Sequence, residues 1–497
     1  MSSSPAPSQQ KFVRGMGLMD AILLVAGIMI GSGIFLAPSD IARQVGSPGW
    51  MLTVWVVAGL MTLIATLSYG ELAALMPTAG GQYTYLKEAY GRCVGFLYGW
   101  TLFLVIQTGT IAAVAIGFAK YLGVLWFAIT ESSYLIPPIH LGCAYAISVS
   151  TEQGVAIAVI LFLSWLNTRG LEAGKIAQNI FTVAKIGALI SLILLGVLVG
   201  SNWEAISGNI ANFWTVHGTL TSNGPGISAM TDIGLLIGII VSLPGALFSS
   251  DGWYSLTFLA SELRSPEKNL PKALGYGTVI VVSLYLLTNL TYLLVLPFTA
   301  IQTAVGDRVA AETADVIFPG WGSVLIAGAI LISTFGCVNG LSLAGGRAYY
   351  AMAQDGLFLP QAAVLNKNHV PAWAIWAQGA WASVLVLPRT IQSLDGPVPE
   401  YGALYTTLLT YVISSAFLFY ILTIIAIFIF RKRLPDAPRA YKAVGYPWLQ
   451  YIYLLAASAL LVGLFYLKPA VTLPGILLTL SGLPVYWLIR RPRKAKR

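Results

Sequence analysis

From Leu18 onward the chain is a succession of apolar runs, most of them about 20 residues or more, separated by short polar stretches. That pattern constrains the fold more than any single motif. About 20 apolar residues cross the hydrocarbon core of a bilayer as a helix. A helix or a closed barrel is the only backbone that satisfies its own polar groups there. Twelve candidate spans can be marked: 18–45, 50–76, 93–124, 152–168, 174–200, 233–263, 274–298, 318–353, 371–389, 401–430, 446–467 and 470–490. Composition agrees, with 57% hydrophobic and 9% charged residues, against roughly 25% charged in soluble domains. The reading is an all-α membrane protein with no large soluble domain.

Lys and Arg set the orientation of such a chain. With the N-terminus inside, 22 of the 28 basic residues fall on the inner side, five (Arg43, Lys120, Arg308, Arg389 and Lys468) fall outside, and Lys185 lies within a span. Both termini are therefore expected in the cytoplasm, and the net charge of +9 reflects topology and anionic lipid rather than nucleic acid. Residues 1–17 read as a cytoplasmic tail, 18–430 as the core, 431–490 as a loop with the last two spans, and 491–497 as a basic tail. Stretches 125–151 and 201–232 carry no Lys or Arg and read as external loops, whereas 76–81 and 263–272 read as internal turns.

Two spans are interrupted. Gly31-Ser32-Gly33 breaks the first, and Phe248-Ser249-Ser250-Asp251-Gly252-Trp253 breaks the sixth. An opened backbone in a membrane must line a cavity or be buried in protein, and the second half-helix then offers its N–H groups to an anion. Broken spans in corresponding positions of two halves point to a substrate site between inverted repeats. The expectation is a 5+5 inverted repeat with broken helices 1 and 6, plus two additional helices.

Charged groups within spans are costly and mark function by default. Lys185 lies roughly 15 Å along span five at 1.5 Å per residue, too deep to snorkel readily; it has two open readings, a fixed ammonium that replaces a coupling sodium ion or a group that carries a proton. Asp251 has two open readings: a group that meets a cation, or a cap on the half-helix that follows. Phe248 stands at the second break, where an aromatic either packs within the span or closes over a substrate as a gate. Glu71 either relays protons or pairs with a basic residue. Ser333, Thr334 and Asn339 either face the site or bond between helices. His140, His217 and His369 fall in loops and form no triad or ligand pair. With no phosphate-binding loop, metal spacing or nucleophile elbow, the chain is read as no enzyme, with no catalytic residue, metal or cofactor. The cysteines Cys93, Cys143 and Cys337 imply no disulfide framework.

Gly27-Ile28-Met29-Ile30-Gly31-Ser32-Gly33-Ile34-Phe35 resembles the first-helix signature of the amino acid–polyamine–organocation transporters. Tyr69-Gly70-Glu71-Leu72 and Pro77-Thr78-Ala79-Gly80-Gly81-Gln82-Tyr83-Thr84-Tyr85-Leu86 resemble their second. Ile180-Phe181-Thr182 with Lys185, the run 333–340 and the run 480–486 are similar to the L-type amino acid transporter family, the light subunits of heteromeric transporters and their bacterial relatives. The resemblance covers nearly the whole chain. It implies sodium-independent transport of L-amino acids, often by obligatory exchange. The substrate carboxylate would meet the backbone of Ser32 and Gly33 beside Gly31. Its ammonium would meet carbonyls matching Met29, Phe248 and Asp251. Phe248 would be the gating aromatic. Lys185, with Ser333 opposite, would stand where sodium-coupled relatives bind an ion. Ser249-Ser250-Asp251 departs from the Ala-Tyr-Gly run of animal members, and Tyr254 from an asparagine, so substrate choice is open. Cys143 lies in the loop that bonds a partner in animal light subunits, in the apolar run Leu141-Gly142-Cys143-Ala144. It is read as unpaired, with no heavy chain expected.

The resulting expectation is an inner- or plasma-membrane exchanger of neutral L-amino acids working by alternating access. Proton-coupled symport through Lys185, Asp251 or Glu71 is one rival. Cationic amino acid or polyamine transport through Asp251 is another. A non-transporting sensor would need an output element, and a channel would need polar rings.

Overall fold

The computed structural model describes residues 12, 14–141, 145–216, 232–393, 400–401 and 404–490. The chain is a bundle of helices. The first interrupted span is α1 (Leu18–Met29) and α2 (Gly33–Val45), bent by 41° at the break. Gly46, at φ 66°, ends α2 in the left-handed region, where glycine has no steric penalty. Ser47 then caps α3 (Pro48–Leu75), its Oγ accepting from Trp50 N, with Pro48 in the first turn. A short helix, α4 (Gln82–Tyr90), precedes α5 (Arg92–Leu125). The reading from sequence had passed α4 over, because at nine residues it is too short to show as a span. α5 carries one π turn at Leu102–Ile106.

Next come α6 (Thr151–Asn167), opened by a reciprocal Ser150–Gln153 capping box, and α7 (Leu171–Leu198). The second interrupted span is α8 (Asp232–Ser249) and the single turn α9 (Ser255–Phe258). α10 (Pro266–Val295) begins eight residues before the expected span. Pro266 sits at N1, where the missing N–H is not needed, so residues 266–272 are helical rather than turn. α11 (Gly322–Gln354), α12 (Ala372–Leu385), α13 (Leu404–Arg433) and α14 (Trp448–Leu467) follow. The last span is α15 (Pro469–Leu480) and α16 (Gly482–Arg490).

Among the described residues eight helices are long and apolar enough to cross a membrane, nine counting α1 and α2 as one span. α6, the described part of α8 (Gly234–Ser249) and the 14-residue α12 are shorter, so helix length alone does not reproduce a count of twelve. The stretch expected as an external loop near 125–151 instead contains strand. β1 (Tyr134–Leu141), β2 (Tyr145–Ser150), β3 (Pro388–Ser393) and β4 (Glu400–Tyr401) form one antiparallel sheet in that order. His140 pairs with Ala146, and Ala146 with Arg389. Pro137-Pro138 had argued for loop, but β1 is an edge strand, where proline is tolerated. Arg389 pins the sheet through Glu131 and through the Tyr134 hydroxyl at 2.7 Å.

The packing follows an exchange of the two five-span units. α3 lies on α10, α5 on α11 and α6 on α12, each pair joining equivalent spans. The contact of α1 with α10 has its counterpart in α8 with α3, that of α1 with α7 in α8 with α13, and that of α7 with α11 in α13 with α5. α2 and α8 pack together at the centre. Glycine makes this approach possible: a Cβ at Gly33 would lie 2.8 Å from Ser249 Cα. The two breaks therefore meet in the middle of the molecule.

Candidate functional site

At the first break the helical ladder stops. The Gly31 N–H turns to Met29 O at 2.9 Å, and Ile30 leaves the helix at φ −77°, ψ 88°. The carbonyls of Gly27 and Ile30 are thereby released from their usual donors. Lys185 Nζ, on α7, lies 2.8 Å from each of them and 2.7 Å from Ser333 O on α11. Lys185 is 1% exposed, and among the described residues no carboxylate lies within 4.0 Å of it. Three acceptors surround it, and only a protonated amine has three N–H groups to give. Its charge is held by peptide dipoles alone, as a bare monovalent cation would be. Ser333 adds its hydroxyl to Ile30 O at 3.1 Å, and the Cys337 thiol donates to Ile28 O at 2.9 Å. Lys185 and Ser333 are thus brought to the first break.

The second break is set by Gly252, at φ 88° and packed so closely on α1 that a Cβ would meet Ile28 Cγ2 at 2.6 Å. One side chain spans both breaks, and the reading from sequence had missed it. The Tyr285 hydroxyl, on α10, lies 2.9 Å from Met29 O and 3.0 Å from Ser249 O. Thr278 reaches Met29 Sδ at 3.9 Å, and Tyr292 reaches Ile34 O at 3.4 Å. Thr278, Tyr285 and Tyr292 are seven residues apart in sequence, which places them on one helix face. That spacing was the available signal.

Between the breaks is a small cavity bounded by Met29, Gly31, Ser32, Gly33, Phe248 and Asp251, with Thr110 and Val114 of α5 and Cys337 and Leu341 of α11 completing the wall. It leaves about 10 Å³ for the centre of a water-sized sphere, enough for one water and too little for an amino acid. Entry of a larger molecule requires the bundle to open. Phe248, 6% exposed, forms part of the wall. Asp251 does not cap α9, which has no side-chain cap. Instead its Oδ1 accepts from the Tyr420 hydroxyl at 2.6 Å, and among the described residues its buried Oδ2 has no hydrogen-bond partner. Asp251 also lines a second small void with Thr62, Trp253 and Tyr453.

Several other polar residues lie away from this cavity. Glu71 makes a bidentate pair with Arg431 (2.9 and 2.7 Å), a contact to Arg439 Nε at 3.2 Å, and accepts from Ala443 N at 2.7 Å. It is a structural anchor for the segment after α13. Thr334 bonds within its own helix, and Asn339 bonds across to Gly174, Gln178 and Asn167. His140 lies in β1 with its Nε2 2.9 Å from Tyr401 Oη. His369 is in a loop at φ 57°, and no metal-ligating group occurs among the described residues. His217 and Cys143 lie outside the described residues. A buried ion pair, Glu262 to Arg347 at 2.9 Å, lies beyond the second break with both side chains at most 1% exposed. Beside it Met16 N donates to Glu262 O at 3.1 Å, so the N-terminal segment is stitched onto that break.

A multi-span helical bundle with a closed cavity between two apposed helix breaks is the architecture of a secondary transporter. The family model described as amino acid permease matches residues 16–489, and the chain belongs to that family. Its relatives are transporters rather than enzymes. The chain is 29% identical over 480 residues to the serine/threonine exchanger SteT of Bacillus subtilis, covering 96% of this chain and 97% of that protein. It is 28% identical over 493 residues to the b(0,+)-type amino acid transporter 1 of Homo sapiens, 98% and 90% covered. It is 30% identical over 476 residues to the human large neutral amino acids transporter small subunit 2, 95% and 79% covered. The similarity to the L-type transporters read from the motifs therefore extends along the whole chain, and the protein is a multi-pass amino acid transporter.

Proposed function

We propose that this protein exchanges neutral L-amino acids across a cell membrane without sodium. The observation that carries the reading is the Lys185 ammonium, held by Gly27 O, Ile30 O and Ser333 O at 2.7–2.8 Å. An ammonium built into the chain ties the first span to α7 and α11 where a coupling metal ion would otherwise bind. Transport then depends on the substrate alone to stabilise the closed state. An empty carrier that closes poorly returns slowly, which is the basis of exchange. In this reading the amino acid carboxylate docks on the backbone of Gly31, Ser32 and Gly33 at the start of α2, where the helix dipole favours an anion. The substrate ammonium takes the carbonyls of Met29, Phe248 and Asp251, and Phe248 closes over it. The Met29 carbonyl also accepts from Tyr285 (2.9 Å), so substrate binding and the bridge between the breaks meet on one atom. Residues 18–430 form the transport core, both termini lie in the cytoplasm, and no heavy-chain partner is expected.

The test is uptake of a labelled neutral amino acid mixture into proteoliposomes free of sodium and of a pH gradient. Uptake into vesicles preloaded with unlabelled amino acids, and not into empty ones, supports exchange. Equal uptake into both makes the protein a uniporter. A second reading, recognition of cationic side chains, is favoured by Asp251, which lines the cavity and whose Oδ2 has no partner among the described residues. Competition by lysine and arginine against the neutral label separates the two.

A further inference from the structure

A cavity of about 1330 Å³, far larger than the one between the breaks, lies on the flank of the bundle. It runs between α5, the segment after α11, α12 and α16, and its lining is aromatic and aliphatic apart from one charge, Arg92. We propose that this groove binds one anionic phospholipid of the leaflet on the side of the chain termini, with the phosphate at Arg92 and an acyl chain along the wall.

Depth is the first argument. Along α5 the lining extends from Arg92 to Leu104. Those twelve residues rise about 18 Å at 1.5 Å each, close to half the thickness of a hydrocarbon core of about 30 Å. The groove is one leaflet deep and has its charge at one end, the shape of a lipid. The chemistry of the wall agrees. The indole N–H of Trp381 donates to Leu104 O at 2.9 Å and that of Trp100 to Ser481 Oγ at 3.1 Å. Both indoles thus have their polar edge satisfied by protein.

Charge is the second argument. Arg92 donates to the backbone carbonyl of Asp355 at 2.7 Å, and among the described residues it forms no ion pair. The neighbouring carboxylate, that of Asp355, is taken by Lys87 at 2.8 Å and the Tyr83 hydroxyl at 2.7 Å. The guanidinium is exposed at the mouth, and among the described residues no acid pairs with it. A mouth of this sign selects an anionic headgroup over a zwitterionic one.

The test is native mass spectrometry of the full chain, delipidated in detergent and titrated with dioleoyl phosphatidylglycerol or dioleoyl phosphatidylcholine. The expected result is one tightly held phosphatidylglycerol and weaker phosphatidylcholine. In Arg92→Gln, an exposed change that leaves the core intact, phosphatidylglycerol affinity falls about fivefold, the effect of one basic residue at a membrane surface, while phosphatidylcholine is unaffected. Leu104→Trp, which fills the deep end, removes the tight lipid. Equal affinity for the two lipids, or unchanged phosphatidylglycerol binding in Arg92→Gln, overturns the proposal. So does a lipid-free dimer that Leu104→Trp dissociates, which would assign the groove to a second copy of the chain.

Discussion

Replacing Lys185 with methionine tests the reasoning at its most exposed point. Methionine keeps the length of the side chain and removes the three N–H donors. Gly27 O then has no partner, because the Gly31 N–H that would serve it in a continuous helix turns to Met29 instead. Ile30 O keeps only the Ser333 hydroxyl at 3.1 Å, and Ser333 O loses its side-chain donor. A buried acceptor left without a donor costs about 1–3 kcal/mol. With one carbonyl stranded and two weakened, the loss comes to roughly 3–6 kcal/mol on the same basis. The first span is then free to straighten or to admit water, and the closed state loses its tie to α7 and α11. We expect Lys185→Met to lower the thermal stability of the purified protein in detergent and to reduce exchange at least about tenfold, the equivalent of 1.4 kcal/mol in the populations of the cycle. Lys185→Arg is expected to fail as well, since a planar fork does not match three converging carbonyls. Wild-type stability together with wild-type exchange in Lys185→Met would refute the argument.

Other outcomes follow from the same geometry. Gly33→Val is expected to abolish exchange, because even a Cβ meets Ser249 Oγ at 2.2 Å and Cα at 2.8 Å; the measurement is exchange in protein that still elutes as a single species. Tyr285→Phe removes the hydroxyl between Met29 O and Ser249 O and should lower stability by about 1–3 kcal/mol, read by thermal melting, with a shift in apparent substrate affinity because the Met29 carbonyl is vacated. Asp251→Asn keeps a partner for Tyr420 and removes the charge: exchange of neutral amino acids should persist and any inhibition by lysine or arginine should vanish. Glu262→Gln or Arg347→Met alone strands half of a fully buried pair and should cost about 3–5 kcal/mol, whereas the double change should recover much of it; a melting series over the four proteins measures the coupling.

The helical membrane fold and the two breaks could be read from residues, because each has a strong local cause; the meeting of Lys185 with Ser333 at the first break was implied only by the resemblance to the L-type transporters. Long apolar runs force helices, and Gly31-Ser32-Gly33 cannot hold a helix as apolar neighbours do. What escaped the reading is what depends on partners distant in sequence. Tyr285 is one tyrosine among 24 until the two carbonyls it bridges are brought together, although its seven-residue spacing from Thr278 and Tyr292 was visible. The Glu262–Arg347 pair joins residues 85 apart, and nothing near either one announces the other. Asp251 was balanced between a cap and a cation contact, and its hydrogen bond goes to Tyr420, 169 residues away. The outer sheet was obscured by Pro137-Pro138, which disfavours a central strand but not an edge.

The most direct measurement is the initial rate of exchange of a labelled neutral L-amino acid in preloaded proteoliposomes, with external sodium replaced by choline. If Lys185 stands in for a coupling ion, the rates in sodium and in choline are equal over the whole substrate range. A rate that collapses in choline and is restored by sodium would contradict the account, since Lys185 would then leave a cation site still to be filled.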